Sequence, residues 1–223
     1  MTTSNLKSGT IVLCLLVFIA DTFFRVQQAE TIRFFSKPMI ILSLYLYYWV
    51  RVNKRKIIFE LALFSNLIAD IFFLFDLKSD LILALAIFFF GFAHLVYAIL
   101  VLQMITSSKR YTYLMGILFF GSYALIYFRQ SFSKFDQIAV LVYLYAFIEI
   151  FFGTICFVYF FQKIGWQRFS ILAATLLFFV SDILTGYNNF LFESHFFTYG
   201  IGIAYCLGQF LVVQFFTTEY AVS

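Results

Sequence analysis

Polar residues in this chain gather in short clusters, and long apolar runs separate them. The clusters are RVNKRK at 51–56, DLKSD at 76–80, TSSKRY at 106–111, RQSFSKFD at 129–136 and QKIGWQR at 162–168. Apolar runs of about 20 residues recur between them, the length needed to cross the hydrocarbon of a bilayer. The pattern predicts eight helical spans: 9–28, 35–51, 57–76, 81–105, 111–128, 137–161, 169–190 and 197–217. A transmembrane barrel would instead show segments of about ten alternating residues, with far more polar positions facing a lumen. The first run, GTIVLCLLVFIADTFF, has no small-residue cleavage site after it and reads as a retained span. No loop is long enough to hold a soluble domain, so the expected fold is one all-α bundle of eight transmembrane helices over residues 1–223.

Composition agrees with that pattern. Hydrophobic residues make up 64% and charged residues 12%, against about 25% charged in soluble domains. Lys and Arg in the loops set the expected orientation. Nine lie on the N-terminal side (Lys7, Arg51, Lys54, Arg55, Lys56, Lys109, Arg110, Lys163, Arg168) and six opposite (Arg25, Arg33, Lys37, Lys78, Arg129, Lys134), which places both termini in the cytoplasm. The net charge of +4 is this loop bias, and no basic face is long enough for nucleic acid. Cys14, Cys156 and Cys206 fall within spans, without metal-ligand spacing, and read as small buried hydrophobes.

The informative residues are the polar ones at depth. An acid at the bilayer centre costs about 2.5–3.5 kcal/mol on insertion scales. Asp21, Asp70, Glu149 and Asp182 all lie well inside spans, with Asn66, His94, Tyr97, Tyr205 and Gln209, and no Lys or Arg is expected at their depth. Asp70 lies 14 residues beyond Lys56 and Asp182 lies 14 beyond Arg168. Both spans run in the same direction, so the two sit about 21 Å in, at one level. Carboxyls in different protonation states make an acid and a base; the alternative is that each caps a kink or bonds a neighbouring helix. Asp21 precedes Arg25 by one turn and reads as half of a local ion pair. Glu149 has no partner in its own helix, and its role stays open. His94 shares a face with Gly91 and Tyr97. The expectation there is either a satisfied inter-helix hydrogen bond or a catalytic or headgroup-binding group. A metal site is not expected, because His195 is the only other histidine and sits in a loop. Lys37, just before the single proline Pro38, forms a basic rim with Arg25 and Arg33 at the entry to the second span. It reads either as interfacial anchoring or as a phosphate clamp. LALFSNLIADIF (61–72) and AATLLFFVSDIL (173–184) align at their aspartates, a faint four-plus-four echo.

These residues resemble a known family. FSKP at 35–38, FSNLIAD at 64–70, FGFAHLVY at 90–97, LLFFVSDILTGYNNF at 176–190 and YCLGQFLVVQ at 205–214 resemble, in order, the motifs of the YhhN-like lysoplasmalogenase family; Ala69 stands where the family usually has glycine. The resemblance implies a membrane hydrolase that cleaves the vinyl-ether bond of a lysophospholipid, giving a fatty aldehyde and a glycerophospho-headgroup. It implies Asp70 and Asp182 as the catalytic carboxyls. Lys37, His94, Tyr97, Asn66, Tyr205 and Gln209 are expected around the substrate. No cofactor is expected, and the expected partners are the lysophospholipid and membrane lipid. The expected setting is a bacterial plasma membrane. Three readings compete with it. A proton-coupled lipid or solute carrier would also use buried acids, but carriers usually have spans interrupted by Gly or Pro, and the only proline, Pro38, is expected at the entry of a span rather than in its interior. A structural protein leaves the paired acids unexplained. An intramembrane aspartyl protease would use two aspartates, but no further protease motif is present.

Overall fold

A computed structural model of the chain describes residues 3–75, 79–131, 139–190 and 194–222. The expected loop residues Asp76, Lys78 and Lys134 lie outside these. The described residues form eight helices: α1 Thr3–Val26, α2 Glu30–Arg51, α3 Ile57–Phe72, α4 Asp80–Leu102, α5 Arg110–Ser131, α6 Ala139–Gln162, α7 Trp166–Phe190 and α8 His195–Val222. In an apolar medium a helix satisfies its own backbone donors and acceptors, which is why such runs fold this way.

Five of the eight (α1, α4, α6, α7 and α8) are long and apolar enough to cross a membrane. Of the eight expected spans, α2, α3 and α5 do not meet that standard. α3 has 16 residues, about 24 Å of helix, against a hydrocarbon thickness of about 30 Å. α2 is long enough but is interrupted by Arg33, Ser36 and Lys37 and ends among Tyr45, Tyr47, Tyr48 and Trp49. α5 is likewise diluted by Tyr111, Thr112, Tyr113 and Ser122. The outward faces are nonetheless apolar: Leu16, Ile19, Phe88, Leu118, Phe147 and Leu125 are all exposed, as lipid-facing side chains are.

Pro38 requires a second correction. α2 begins at Glu30, so Pro38 lies inside the helix rather than in its first turn. Its missing N–H leaves the Phe34 carbonyl without the usual helical donor. The lack of a mid-span proline therefore does not separate an enzyme from a carrier in this chain. α1 and α2 join through a tight connection in which Gln28 takes a left-handed φ of 53°.

Seven helices form a closed ring in the order α1, α2, α3, α4, α6, α7, α8, and α5 packs outside it against α6. α8 packs on α1, α2 and α7, and its side chains reach α3 and α4: Phe216 meets Phe59 and Tyr97, and Tyr205 meets Phe90. The core is thus a column of aromatic rings with polar groups set among them. At the end where α2 finishes, Arg51 lies over the Tyr47 ring and donates to Thr10, and the Tyr48 hydroxyl accepts from the Lys56 N–H at 2.9 Å.

Candidate functional site

α3 runs antiparallel to α2, so the last turn of α3 lies beside the early turns of α2. Asp70, on that turn of α3, is fully buried and accepts from the Tyr205 hydroxyl of α8 at 2.6 Å. Its other oxygen, Oδ1, stands 3.4 Å from Lys37 Nζ of α2, at an ion-pair distance but without hydrogen-bond angles. Lys37 is only 5% exposed, and its ammonium also lies 4.8 Å from the Phe73 ring centroid. Lys37 was expected on an open rim; it is a buried cation facing Asp70. The expectation that no cation reaches the depth of the acids is therefore corrected. A four-carbon stem carries the ammonium inward from a backbone position that looks interfacial by residue counting.

One turn along each helix, Asn66 of α3 meets Gln209 of α8. Asn66 Nδ2 donates to the Tyr97 hydroxyl at 2.9 Å and to Gln209 Oε1 at 3.4 Å. Asn66, Tyr97 and Gln209 are all fully buried. The spacing of four residues on both helices (66 and 70, 205 and 209) puts the two contacts on one facing seam. Tyr97 reaches the seam from α4, on the face that carries His94.

A second cluster adjoins the first. His94 Nδ1 is in close contact with Glu149 Oε1 of α6, and both side chains are buried. Glu149 thus has a partner on another helix, beside Tyr145 one turn away on its own. The Tyr145 hydroxyl, one turn before Glu149, donates to Asp182 Oδ2 of α7 at 2.7 Å. Glu149 and His94 both act electrostatically on Asp182. Gly91 faces α6 here: a Cβ there would stand 3.4 Å from Tyr145 Cδ2 and from Ile148 Cδ1, at ordinary contact distance. The His94 ring packs on Phe178, with centroids 4.6 Å apart.

The expected residues thus divide into two sets. Asp70 keeps Lys37, Tyr205, Asn66, Gln209 and Tyr97 as its neighbourhood. Asp182 keeps Tyr145, Glu149 and His94. Among the described residues the two aspartates share no hydrogen-bond partner, and the sets meet on α4, where the His94 and Tyr97 rings stand 6.1 Å apart and the Phe90 ring stands 6.1 Å from Tyr205 and 6.4 Å from His94.

Asp21 corrects another expectation. Its Oδ1 accepts from Ser36 of α2 at 2.8 Å, so a neighbouring helix supplies its partner, with Arg25 acting on it through charge. Sequence reasoning missed two groups, Tyr145 and Ser36. Tyr145 has one sequence signal, its i,i+4 spacing to Glu149, which is easily lost among 15 tyrosines. Ser36 adjoins Lys37 but carries no pattern of its own. Among the described residues, no group of three or more His, Cys, Asp or Glu is placed to hold a metal ion.

This arrangement combines an acid held against an ammonium, another beside a carboxyl–imidazole pair, and tyrosine hydroxyls that orient both. In apolar surroundings such groups move protons to and from a neutral substrate. A comparison with protein-family models matches the YhhN family over residues 32–215. No curated protein and no solved structure matches the chain.

Proposed function

This chain belongs to the YhhN family, the lysoplasmalogenase family, and on that premise we propose that it hydrolyses the vinyl-ether bond of a lysophospholipid within the membrane. We place all eight helices across the bilayer with both termini on the cytoplasmic side. The observation that carries the reading is the unlike environment of two acids: Asp70 faces the Lys37 ammonium, and Asp182 faces Glu149 and the Tyr145 hydroxyl. On that difference in partners we assign Asp70 as the carboxylate and Asp182 as the proton donor.

The steps close as a cycle. Asp182 gives its proton to the second carbon of the alkenyl chain, and the first carbon becomes an oxocarbenium ion. The Asp70 carboxylate stabilises that cation and takes a proton from water as the water oxygen bonds to the first carbon. The resulting hemiacetal loses its hydroxyl proton to Asp182. The glycerol oxygen leaves with the proton held by Asp70, and both acids return to their starting states. His94 and Tyr97 orient water, and the His94–Glu149 pair fixes the imidazole. Lys37 holds Asp70, and we assign the headgroup phosphate to Arg25, in the last turn of α1. The aromatic column of the bundle provides apolar walls for the alkenyl chain.

Deuterium oxide tests the chemistry. With a vinyl-ether lysophospholipid as substrate, the released aldehyde is expected to carry one deuterium at its second carbon. Absence of aldehyde, or aldehyde without that deuterium, contradicts carbon protonation by the enzyme.

A further inference from the structure

The Asn66–Gln209 contact satisfies only half of the hydrogen-bonding capacity of the two amides. Asn66 Oδ1 and Gln209 Nε2 are buried, and neither has a hydrogen-bond partner among the described residues. Both side chains are 0% exposed. An amide group left unpaired in apolar surroundings is costly, and there are two here, on adjoining side chains, one acceptor and one donor. The complementarity does not depend on which way the amides are assigned. If both are reversed, Asn66 still pairs with Tyr97 and with Gln209, and the orphans become one donor and one acceptor on the opposite residues.

A group that fills such a site must donate and accept at once. A hydroxyl does both; an ether, an ester or a hydrocarbon does not. The site also has a fixed place. Asn66 lies one helical turn before Asp70, and Gln209 one turn after Tyr205, whose hydroxyl holds Asp70. Tyr97 anchors Asn66 from the third side. The seam is therefore next to the carboxylate assigned to the reacting carbon.

We propose that Asn66 and Gln209 form the subsite that reads the free 2-hydroxyl of the glycerol, with Asn66 Oδ1 accepting from it and Gln209 Nε2 donating to it. This inference rests on the lysophospholipid reading above and names the residues that recognise the free 2-hydroxyl. A lipid whose 2-position is acylated or alkylated cannot donate, and it brings bulk into a fully buried seam. Such a lipid is rejected at Asn66 and Gln209 rather than at the acids.

The test is a binding measurement that needs no turnover. Purified full-length protein in nanodiscs is titrated with saturated 1-O-alkyl glycerophosphoethanolamine, which has no vinyl ether to cleave, in its 2-hydroxy, 2-deoxy and 2-methoxy forms. Wild type is expected to bind the 2-hydroxy form at least about tenfold more tightly than the other two, the range set by leaving buried polar partners unpaired. In Asn66→Leu and Gln209→Leu the three affinities are expected to converge to within about threefold. Because each comparison is a ratio on one sample, the folded fraction cancels. Equal affinity for the three lipids in wild type overturns the proposal, and so does a preference that survives both substitutions. The seam then holds a structural water only. Hydroxyl-selective binding without aldehyde release from any vinyl-ether lipid would refute the hydrolase reading and leave this subsite standing. Aldehyde release without hydroxyl selectivity would do the reverse.

Discussion

Lys37 Nζ lies 3.4 Å from Asp70 Oδ1, and both side chains are buried. The pair joins the early part of α2 to the last turn of α3, and it sets the charge environment of one candidate catalytic carboxyl. Removing one member of a buried pair leaves the other charge uncompensated, which typically costs about 3–5 kcal/mol, whereas replacing both is far milder. Lys37→Met is therefore expected to lower the thermal unfolding midpoint in detergent markedly. The double variant Lys37→Met with Asp70→Asn is expected to recover most of the loss. A double variant as unstable as the single one would show that the two groups are not coupled.

Tyr145 is expected to matter for turnover more than for binding. Its hydroxyl donates to Asp182 at 2.7 Å, and its ring lies against the His94 ring, with centroids 6.2 Å apart. Tyr145→Phe keeps the ring and removes the donor. The expected outcome is a fall in kcat of roughly 10- to 100-fold with KM nearly unchanged, read from steady-state aldehyde release. A change confined to KM would assign Tyr145 to substrate binding instead.

The buried parts of the account were unevenly legible in the sequence. Eight apolar runs gave eight helices because hydrocarbon permits little else. Counting residues from a loop set Asp70, Asp182 and His94 well inside their helices, and Asp70 and His94 are buried. That count says nothing about which neighbour a side chain faces. His94 of α4 meets Glu149 and Ser36 of α2 meets Asp21 across helices, and no spacing within a helix predicts these two contacts. Lys37 was misplaced for a related reason. Its backbone lies near the start of α2, and the reach of its stem decides where the charge sits. Pro38 was read as a helix start because proline favours that position, but eight further residues of α2 precede it.

Gly208 provides a test of packing around the site. A Cβ at this position would lie 2.8 Å from Phe178 Cε1, and the Phe178 ring stands 4.6 Å from the His94 ring. Gly208→Ala is expected to push Phe178 against His94 and to reduce turnover by roughly 10- to 100-fold, the scale of a misplacement of about 1 Å, although Gly208 itself carries no chemistry. Adding Phe178→Leu, which clears the space, is expected to restore part of the rate. No recovery would mean that Gly208 acts through another contact.

The central claim is that Asp70 and Asp182 do unlike jobs in one reaction, and aldehyde release from a vinyl-ether lysophospholipid tests it most directly. It should be measured on purified wild type, Asp70→Asn and Asp182→Asn, each shown to be folded by its thermal unfolding profile. Wild type is expected to release aldehyde, and each variant to lose at least about 100-fold in kcat. Turnover near the wild-type rate in either variant would remove that residue from the chemistry and contradict the account.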